Sequence, residues 1–143
     1  MRCLNGLTIL IMVVFMGFMV TGCTENARLL QALGNANINL VGQDNGMGGH
    51  CDGLTLSADT VVLTYNFWPE MAGEEMLADP ETPVVSRPQA RKGLKAILKD
   101  YDGVAQAMLK AKAGFIYRRK FVDGKVDVYF TPEQVEQAFD QIQ

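Results

Sequence analysis

One stretch near the C-terminus constrains the fold more than any other, because residues 115–130 have the pattern of a β-hairpin. Asp123-Gly124 favours the type I′ turn of a two-residue hairpin loop. That turn predicts the strand pairing: Val122 with Lys125, Phe121 with Val126, Arg119 with Val128, and Tyr117 with Phe130. Apolar side chains then alternate along both strands, so one face of the hairpin is expected to be apolar and the other largely solvated.

Two capping sequences predict helices on either side of the hairpin. Ser86-Arg87-Pro88-Gln89 and Thr131-Pro132-Glu133-Gln134 each combine a hydroxyl N-cap, an early proline and a glutamine three residues after the cap. Behind the first cap, apolar residues recur every three or four positions as far as Leu109. The phase survives Asp102-Gly103, where any bend would lie, so we predict one long helix that stops at Gly114.

Further strands are predicted upstream of the long helix. Leu54–Ser57 and Thr60–Phe67 have strand character, with a turn or a bend at Ala58-Asp59. Residues 42–53 contain five glycines and are predicted to form a loop. The sequence therefore predicts an α+β fold, in which a small antiparallel sheet of three or four strands is covered on one face by a long helix and a C-terminal helix.

An apolar run of 14 residues, Leu7 to Val20, precedes this domain. It has the length of a secretory hydrophobic region and falls short of the about 20 residues that span a bilayer. Val20-Thr21-Gly22-Cys23 follows directly, and the arrangement resembles the signal sequence of bacterial lipoproteins. An ordinary cleaved signal peptide and an uncleaved anchor are the alternatives.

The lipoprotein resemblance implies that residues 1–22 form a cleaved signal peptide and that Cys23 becomes the acylated first residue. A diacylglyceryl group would sit on its sulfur and an acyl chain, such as palmitate, on its amino group. The expected location is the cell envelope, with the lipid bilayer as one partner. Thr24, in place of an aspartate, implies the outer membrane facing the periplasm in a Gram-negative cell.

Residues 23–143 are expected to form one small envelope domain, since about 120 residues suffice for a single core. Within it, residues 23–53 are predicted to be a tether with a short helix at 27–33 and the glycine-rich loop. Cys3 would leave with the signal peptide and Cys23 would carry lipid, so Cys51 is left without a disulfide partner.

Charge is segregated along the chain. Residues 44–81 hold eight acids and no lysine or arginine, whereas residues 87–125 hold eleven lysines and arginines and three acids. These segments either face each other or are simply solvated. Alternatively, Arg91, Lys95 and Lys99 form a basic face that meets anionic head groups, peptidoglycan carboxylates or an acidic protein. At the expected envelope location no nucleic-acid partner is expected.

The cluster His50-Cys51-Asp52 is the one place where reactive side chains gather, and it suggests a thiolate nucleophile with a histidine base. Adjacent residues usually point apart, which argues against this dyad. A small buried thiol and intermolecular pairing of Cys51 are the other interpretations. No metal-site or phosphate-loop spacing is present, so no metal or cofactor is expected.

Arg119 and Trp68 are further candidates for binding residues. Arg119 falls on the apolar face of the hairpin, either near an edge with its head group in water or inside an anion-binding pocket. Trp68 ends a strand and is either a core residue or an exposed contact. Together with Tyr65 and Glu70, these two residues mark where a cleft is expected.

These observations favour a membrane-anchored, non-catalytic binding or accessory module for another protein or an envelope component. Two alternatives remain open at this point. One is a cysteine-dependent hydrolase that uses Cys51 and His50. The other is a small-ligand carrier with a pocket around Arg119, which requires the guanidinium group to be exposed inside a cavity.

Overall fold

The computed structural model describes residues 13–44, 49–67, 86–121 and 124–143, with side chains from Glu25 onward except at residue 67. Eight elements follow one another along these residues. They are α1 Val13–Leu40, β1 Gly49–Ser57, β2 Thr60–Phe67, α2 Arg87–Asp100, α3 Asp102–Ala111, β3 Gly114–Phe121, β4 Gly124–Phe130 and α4 Pro132–Gln141.

The strands form one four-stranded sheet in the order β1-β2-β3-β4. The outer pairs are antiparallel, whereas β2 and β3 are parallel. The α+β class and the four-stranded sheet are confirmed, but the sheet is mixed where a wholly antiparallel one was predicted. The physical reason is the connection between β2 and β3, which contains α2 and α3 and is long enough to return the chain in the same direction.

The core lies between one face of the sheet and the helices. From α1, this core takes Leu29, Leu33, Ala36 and Leu40, which recur at helical spacing. The sheet contributes alternate residues of each strand, and the largest of the fully buried ones are Leu54, Leu63, Phe115 and Phe130. Helices α2, α3 and α4 complete the core with Leu94, Leu98, Val104, Met108 and Val135.

The hairpin of β3 and β4 has a different register from the predicted one. Phe121 faces Gly124, Arg119 faces Val126 and Tyr117 faces Val128. The predicted pairing is therefore wrong by two residues. A shift of two residues leaves every side chain on its predicted face of the sheet, so the prediction of which face of the hairpin is apolar is unaffected.

Cross-strand contacts explain why this register is preferred. It places Phe115 opposite Phe130, with ring centroids 6.2 Å apart. It also places Arg118 opposite Asp127, where Nε and Nη2 donate to the carboxylate at 2.8 and 3.0 Å. Such pairs are the main sequence-specific stabilisation of a sheet.

The predicted long helix is two helices, α2 and α3, separated by Tyr101. Tyr101 has φ −126° and ψ 76°, outside the helical region. The apolar phase continues across the break because both helices cover the same core. Helix α3 ends at Lys112, which adopts φ 51°, and Gly114 opens β3 instead of ending a helix.

The predicted caps are present. The Ser86 hydroxyl accepts a hydrogen bond from the Gln89 amide at 3.3 Å. At the start of α4, Thr131 and Gln134 form both hydrogen bonds of a capping box, at 2.9 and 3.2 Å. The hydroxyl-to-glutamine spacing therefore identified both helix starts correctly.

The segment predicted as a tether belongs to the fold. The short helix predicted at residues 27–33 lies inside α1, whose buried face begins at Leu29. The loop prediction for residues 42–53 is wrong from Gly49 onward, because β1 starts there. No helix of the described residues combines the length and the apolarity needed to cross a bilayer.

A single asparagine fastens α1 to the edge strand β1. The Asn37 Oδ1 accepts from the Leu54 amide at 2.7 Å, and its Nδ2 donates to the Leu54 carbonyl at 2.8 Å. The residues after α1 also pair with this edge strand, since Gly42 and Gln43 form backbone hydrogen bonds of 2.8 Å with Cys51. The outward backbone groups of Cys51 and Leu54 are therefore satisfied within the domain.

Candidate functional site

Helix α2 presents a strongly basic surface. Arg91, Lys95 and Lys99 are spaced four residues apart and share one side of the helix; we call these three residues the basic face. Another side of α2 is buried through Ala90, Leu94, Ile97 and Leu98. Arg91 and Lys99 are exposed and Lys95 is half-buried, so their positive charges stand at the surface.

No described acid neutralises the basic face. The ion pairs among the described residues join Arg118 and Lys125 to Asp127 and His50 to Asp52. Three of the eight acids between residues 44 and 81 are described, and none forms an ion pair with the basic face. The remaining five lie outside the described residues, so their predicted role opposite the bases stays a prediction.

A small polar pocket adjoins the basic face, between α2 and α4. Its volume is about 190 Å³, and we call it the α2–α4 pocket. The pocket is lined by Arg87, Arg91, Phe130, Gln134, Gln137, Ala138 and Gln141. Two guanidinium groups and three carboxamides thus surround a space that is large enough for several water molecules.

Arg87 is held in a fixed orientation at this pocket. Its Nη1 donates to the Tyr129 carbonyl and its Nη2 to the Gln134 Oε1, both at 3.1 Å. Its guanidinium carbon also lies 4.5 Å from the centroid of the Phe130 ring. Arg91, one turn further along α2, has no ion-pair partner among the described residues. Planar guanidinium groups suit carboxylates and phosphates, which they can bind through two parallel hydrogen bonds.

Arg119 lies in a different place, inside the core. It is only 2% exposed, and its Nη2 donates to the Tyr117 hydroxyl at 3.0 Å. Its guanidinium carbon is 5.4 Å from the Tyr117 ring centroid and 5.8 Å from that of Tyr65. The head group therefore does not lie in water. The anion-binding pocket expected around it stays a prediction, because the acids at residues 70–81 that would line it lie outside the described residues. Two aromatic rings lie beside the guanidinium group.

Cys51 lies in the same row of the sheet as Arg119. Cys51 faces Tyr65, and Tyr65 in turn faces Arg119. The Cys51 side chain is fully buried, and burial raises the pKa of its thiol. Burial also raises the pKa of Tyr65 to about 12. The thiol therefore stays protonated at neutral pH, which is the unreactive form.

His50 and Cys51 do not form the dyad that the hydrolase alternative requires. Both residues lie in β1, where consecutive side chains point to opposite faces. Cys51 enters the core, while the half-exposed His50 places its Nε2 3.3 Å from the Asp52 carboxylate. The Asn66 side chain donates to that same carboxylate. The described residues also contain no group of three or more side chains that could hold a metal ion.

Two predicted residues cannot be placed. Trp68 lies outside the described residues, as does Glu70, so the cleft expected around Tyr65 and Arg119 stays a prediction. Cys23 falls within the backbone of α1, and its side chain lies outside the described ones.

Most of the α2–α4 pocket is not predicted from the sequence. Arg87 and Gln134 were named only as members of the two caps, and Gln137 and Gln141 were assigned no role. Gln134, Gln137 and Gln141 do stand three and four residues apart, so a polar side of α4 could have been noticed. Its location beside α2 depends on tertiary packing, which a single sequence does not specify.

Comparisons with protein-family models, with curated proteins and with solved structures found no significant match for this chain.

Proposed function

We propose that this chain is an envelope lipoprotein, acylated at Cys23, whose domain binds an anionic partner without catalysing a reaction. The observation that carries the proposal is the basic face on α2, which no described acid neutralises and which adjoins the α2–α4 pocket. The Val20-Thr21-Gly22-Cys23 motif supports the anchor and the envelope location.

The chemistry of the site indicates the kind of partner. The lysines of the basic face attract negative charge over a range of about 10 Å at moderate ionic strength. The guanidinium groups of Arg87 and Arg91 and the carboxamides of α4 then bind a carboxylate or phosphate group at short range. An acidic segment of an envelope protein or polymer meets both requirements.

The anchor and the domain have complementary roles in this function. Two or more acyl chains hold a protein stably at a bilayer, since each buried methylene contributes about 0.8 kcal/mol. A domain confined to the membrane meets membrane-associated partners at a raised effective concentration. Weak electrostatic contacts then suffice for recognition, as is typical of an accessory module.

The first test removes the anchor. Cys23→Ala should release the protein from the membrane fraction or leave it with an unprocessed leader, and mass spectrometry of the wild type should show a fatty-acylated Cys23. A wild-type amino terminus without fatty acids would contradict the anchor but not the binding site.

The second test reverses the basic face. In the triple variant Arg91→Glu, Lys95→Glu, Lys99→Glu, we expect at least about a tenfold loss of affinity for a purified acidic envelope partner, equal to about 1.4 kcal/mol. The matched control reverses three exposed lysines elsewhere: Lys110, Lys120 and Lys125. An equal loss in both triple variants would show that only net charge matters.

A third variant separates the pocket from the charge. Arg91→Lys keeps the positive charge but loses the planar guanidinium group, which can bind a carboxylate through two parallel hydrogen bonds. We expect weaker binding with an unchanged salt dependence. Affinity equal to that of the wild type would remove the α2–α4 pocket from the proposal and leave the basic face alone.

A further inference from the structure

Helix α1 exposes apolar side chains on the side turned away from the core. Leu30 is 50% exposed, Ile38 79%, and Val41, directly after the helix, 56%. These are three of the four large hydrophobic side chains that are exposed in the described part of the chain. Ala27 and Gly34 are also exposed and lie between or beside them. We call these five residues the apolar stripe.

The apolar stripe follows helical geometry. Its members are spaced by three, four, four and three residues, and at about 100° per residue they fall within an arc of about 80°. The buried residues of α1 point in a direction about 125° away. Glu25 and Arg28, the charged residues in the described part of α1, both lie outside the arc. The helix therefore has a second apolar side that the fold does not use.

Cys23 continues the same pattern. It stands four residues before Ala27, and α1 includes both positions. That spacing puts two residues on one side of a helix, so the position to be acylated is in register with the apolar stripe. The first core residue, Leu29, follows Cys23 by six residues, which is about 9 Å of helix and at most about 20 Å of extended chain.

We propose that the apolar stripe is a membrane-docking surface, on which α1 lies in the plane of the bilayer beside its acylated cysteine. The proposal rests on the acylation of Cys23 that is proposed above. The acyl chains enter the bilayer at one end of the stripe, and the short spacer keeps the rest of α1 against the lipid. Leu30, Ile38 and Val41 then insert at the level of the acyl-chain boundary, as the apolar side of an interfacial helix does.

A lipid surface fits the stripe better than a second copy of the chain does. Both occupants would cover Leu30, Ile38 and Val41. Only the bilayer explains why the stripe is in register with the position that carries the lipid. The short spacer adds to this, because an anchored domain cannot hold α1 far from the membrane.

The experiment measures how deep two positions of the stripe lie in the bilayer. The full-length chain is expressed with Leu30→Cys or Ile38→Cys, processed, reconstituted into phosphatidylethanolamine–phosphatidylglycerol vesicles and spin-labelled at the new thiol. Cys23 is acylated and Cys51 is fully buried, so neither competes for the label. Asn39→Cys is the matched control, because Asn39 is exposed on α1 and lies outside the stripe.

We expect nitroxides at positions 30 and 38 to collide with oxygen more often than with a water-soluble nickel complex, at a depth of about 5–10 Å below the head groups. The label at position 39 should collide with the nickel complex as it does in solution. Labels at 30 and 38 that are as accessible to nickel as the control would overturn the proposal. So would strong spin–spin broadening with low accessibility to both reagents, which indicates a second copy.

Acylation is measured on the same samples by mass spectrometry. An unacylated wild-type chain would contradict the anchor itself. An acylated chain with water-exposed labels at 30 and 38 would contradict only the docking surface. The two failures are therefore distinguishable.

Discussion

Helices α1 and α2 pack on the same sheet but differ in how they are held and in what they expose. Helix α1 is held by a side-chain amide, because Asn37 pairs with both backbone groups of Leu54. Helix α2 is held by close approach, because Gly93 leaves room for the Tyr117 ring. Outward, α1 shows the apolar stripe and α2 the basic face. Packing in the core accounts for the residues on the inward sides of both helices. It does not account for the apolar stripe or the basic face, so these outward surfaces are the candidates for function.

The largest effect is expected from Gly53→Ala, which attacks the attachment of α1. Gly53 has φ +102°, and an added Cβ would lie 2.6 Å from the Asn37 Oδ1. Backbone strain and steric overlap together should lower the free energy of unfolding by roughly 3 kcal/mol. Urea unfolding of the detergent-solubilised chain, followed by circular dichroism, measures this change.

A double variant checks the cause of that loss. Because the overlap involves Asn37, the cost of Gly53→Ala should be smaller in an Asn37→Ala background than in the wild type. An equal loss of stability from Gly53→Ala in the wild type and in the Asn37→Ala background would show that the two residues do not interact.

The second prediction concerns Asn37 itself. Asn37→Ala leaves the amide and the carbonyl of Leu54 without their partner at a partly buried edge. We expect a loss of about 2 kcal/mol in the free energy of unfolding. Asn39→Ala is the control, since Asn39 is exposed two residues further along α1 and should tolerate the change. Equal stability of both variants would mean that α1 is held by its apolar side alone.

This attachment shows where sequence-based prediction reaches its limit. The caps at Ser86 and Thr131, strand β2 and the apolar side of the hairpin are local patterns, and they were predicted correctly. The bulge at Gly53 depends on its pairing with Thr64, 11 positions away, and the Asn37 pairing joins residues that are 17 positions apart. The glycines of residues 42–53 favoured a loop prediction. The neighbouring sequence does not show that Gly53 adopts a positive φ inside a strand.

In the candidate site, too, the features that follow from local sequence were predicted and those that depend on tertiary packing were not. Arg91, Lys95 and Lys99 were predicted from helical spacing, and the structure places them on one exposed side of α2. Arg119 was placed correctly on the apolar face, but its depth depends on which elements cover that face. The α2–α4 pocket was missed for the same reason, since it exists only where two helices meet.

The third prediction tests how α2 is held. Its control variant is expected to change the free energy of unfolding in the opposite direction. In Gly93→Ala the new Cβ would lie 2.5 Å from the Tyr117 ring, so the helix or the ring must shift. Overpacking costs 1–3 kcal/mol, offset by the better helix propensity of alanine, so we expect a net loss of about 1 kcal/mol. Gly103→Ala in α3 meets no atom within 4 Å and should stabilise the protein by up to about 1 kcal/mol. Stabilisation by both variants would contradict the close approach.

The fourth prediction concerns the stability of the protein at alkaline pH and the ionisation of Tyr65. Tyr65 lies between Cys51 in β1 and Tyr117, whose ring centroid is 5.6 Å away. Burial raises the pKa of Tyr65 from 10.0 to about 12, so the folded state keeps a proton that the unfolded chain releases. This contribution to stability is complete below pH 10 and is lost as the pH rises towards 12.

Unfolding measured between pH 9 and 12 should therefore show a falling free energy, and Tyr65→Phe should make the fall less steep. The burial-raised pKa of the Cys51 thiol acts in the same direction and remains in the variant. Identical slopes for the wild type and Tyr65→Phe would show that the phenol ionises as freely in the folded protein as in the unfolded chain.

The smallest effects on stability are expected on the outward sides, where the two helices differ most. Ile38→Gln in the apolar stripe and Arg91→Gln on the basic face both replace exposed side chains, so each should leave the free energy of unfolding within about 0.5 kcal/mol of the wild type. Their functional effects should separate: Ile38→Gln should weaken insertion of α1 into vesicles and spare the anionic partner, whereas Arg91→Gln should do the reverse. A variant that loses both properties at unchanged stability would show that the two surfaces act as one.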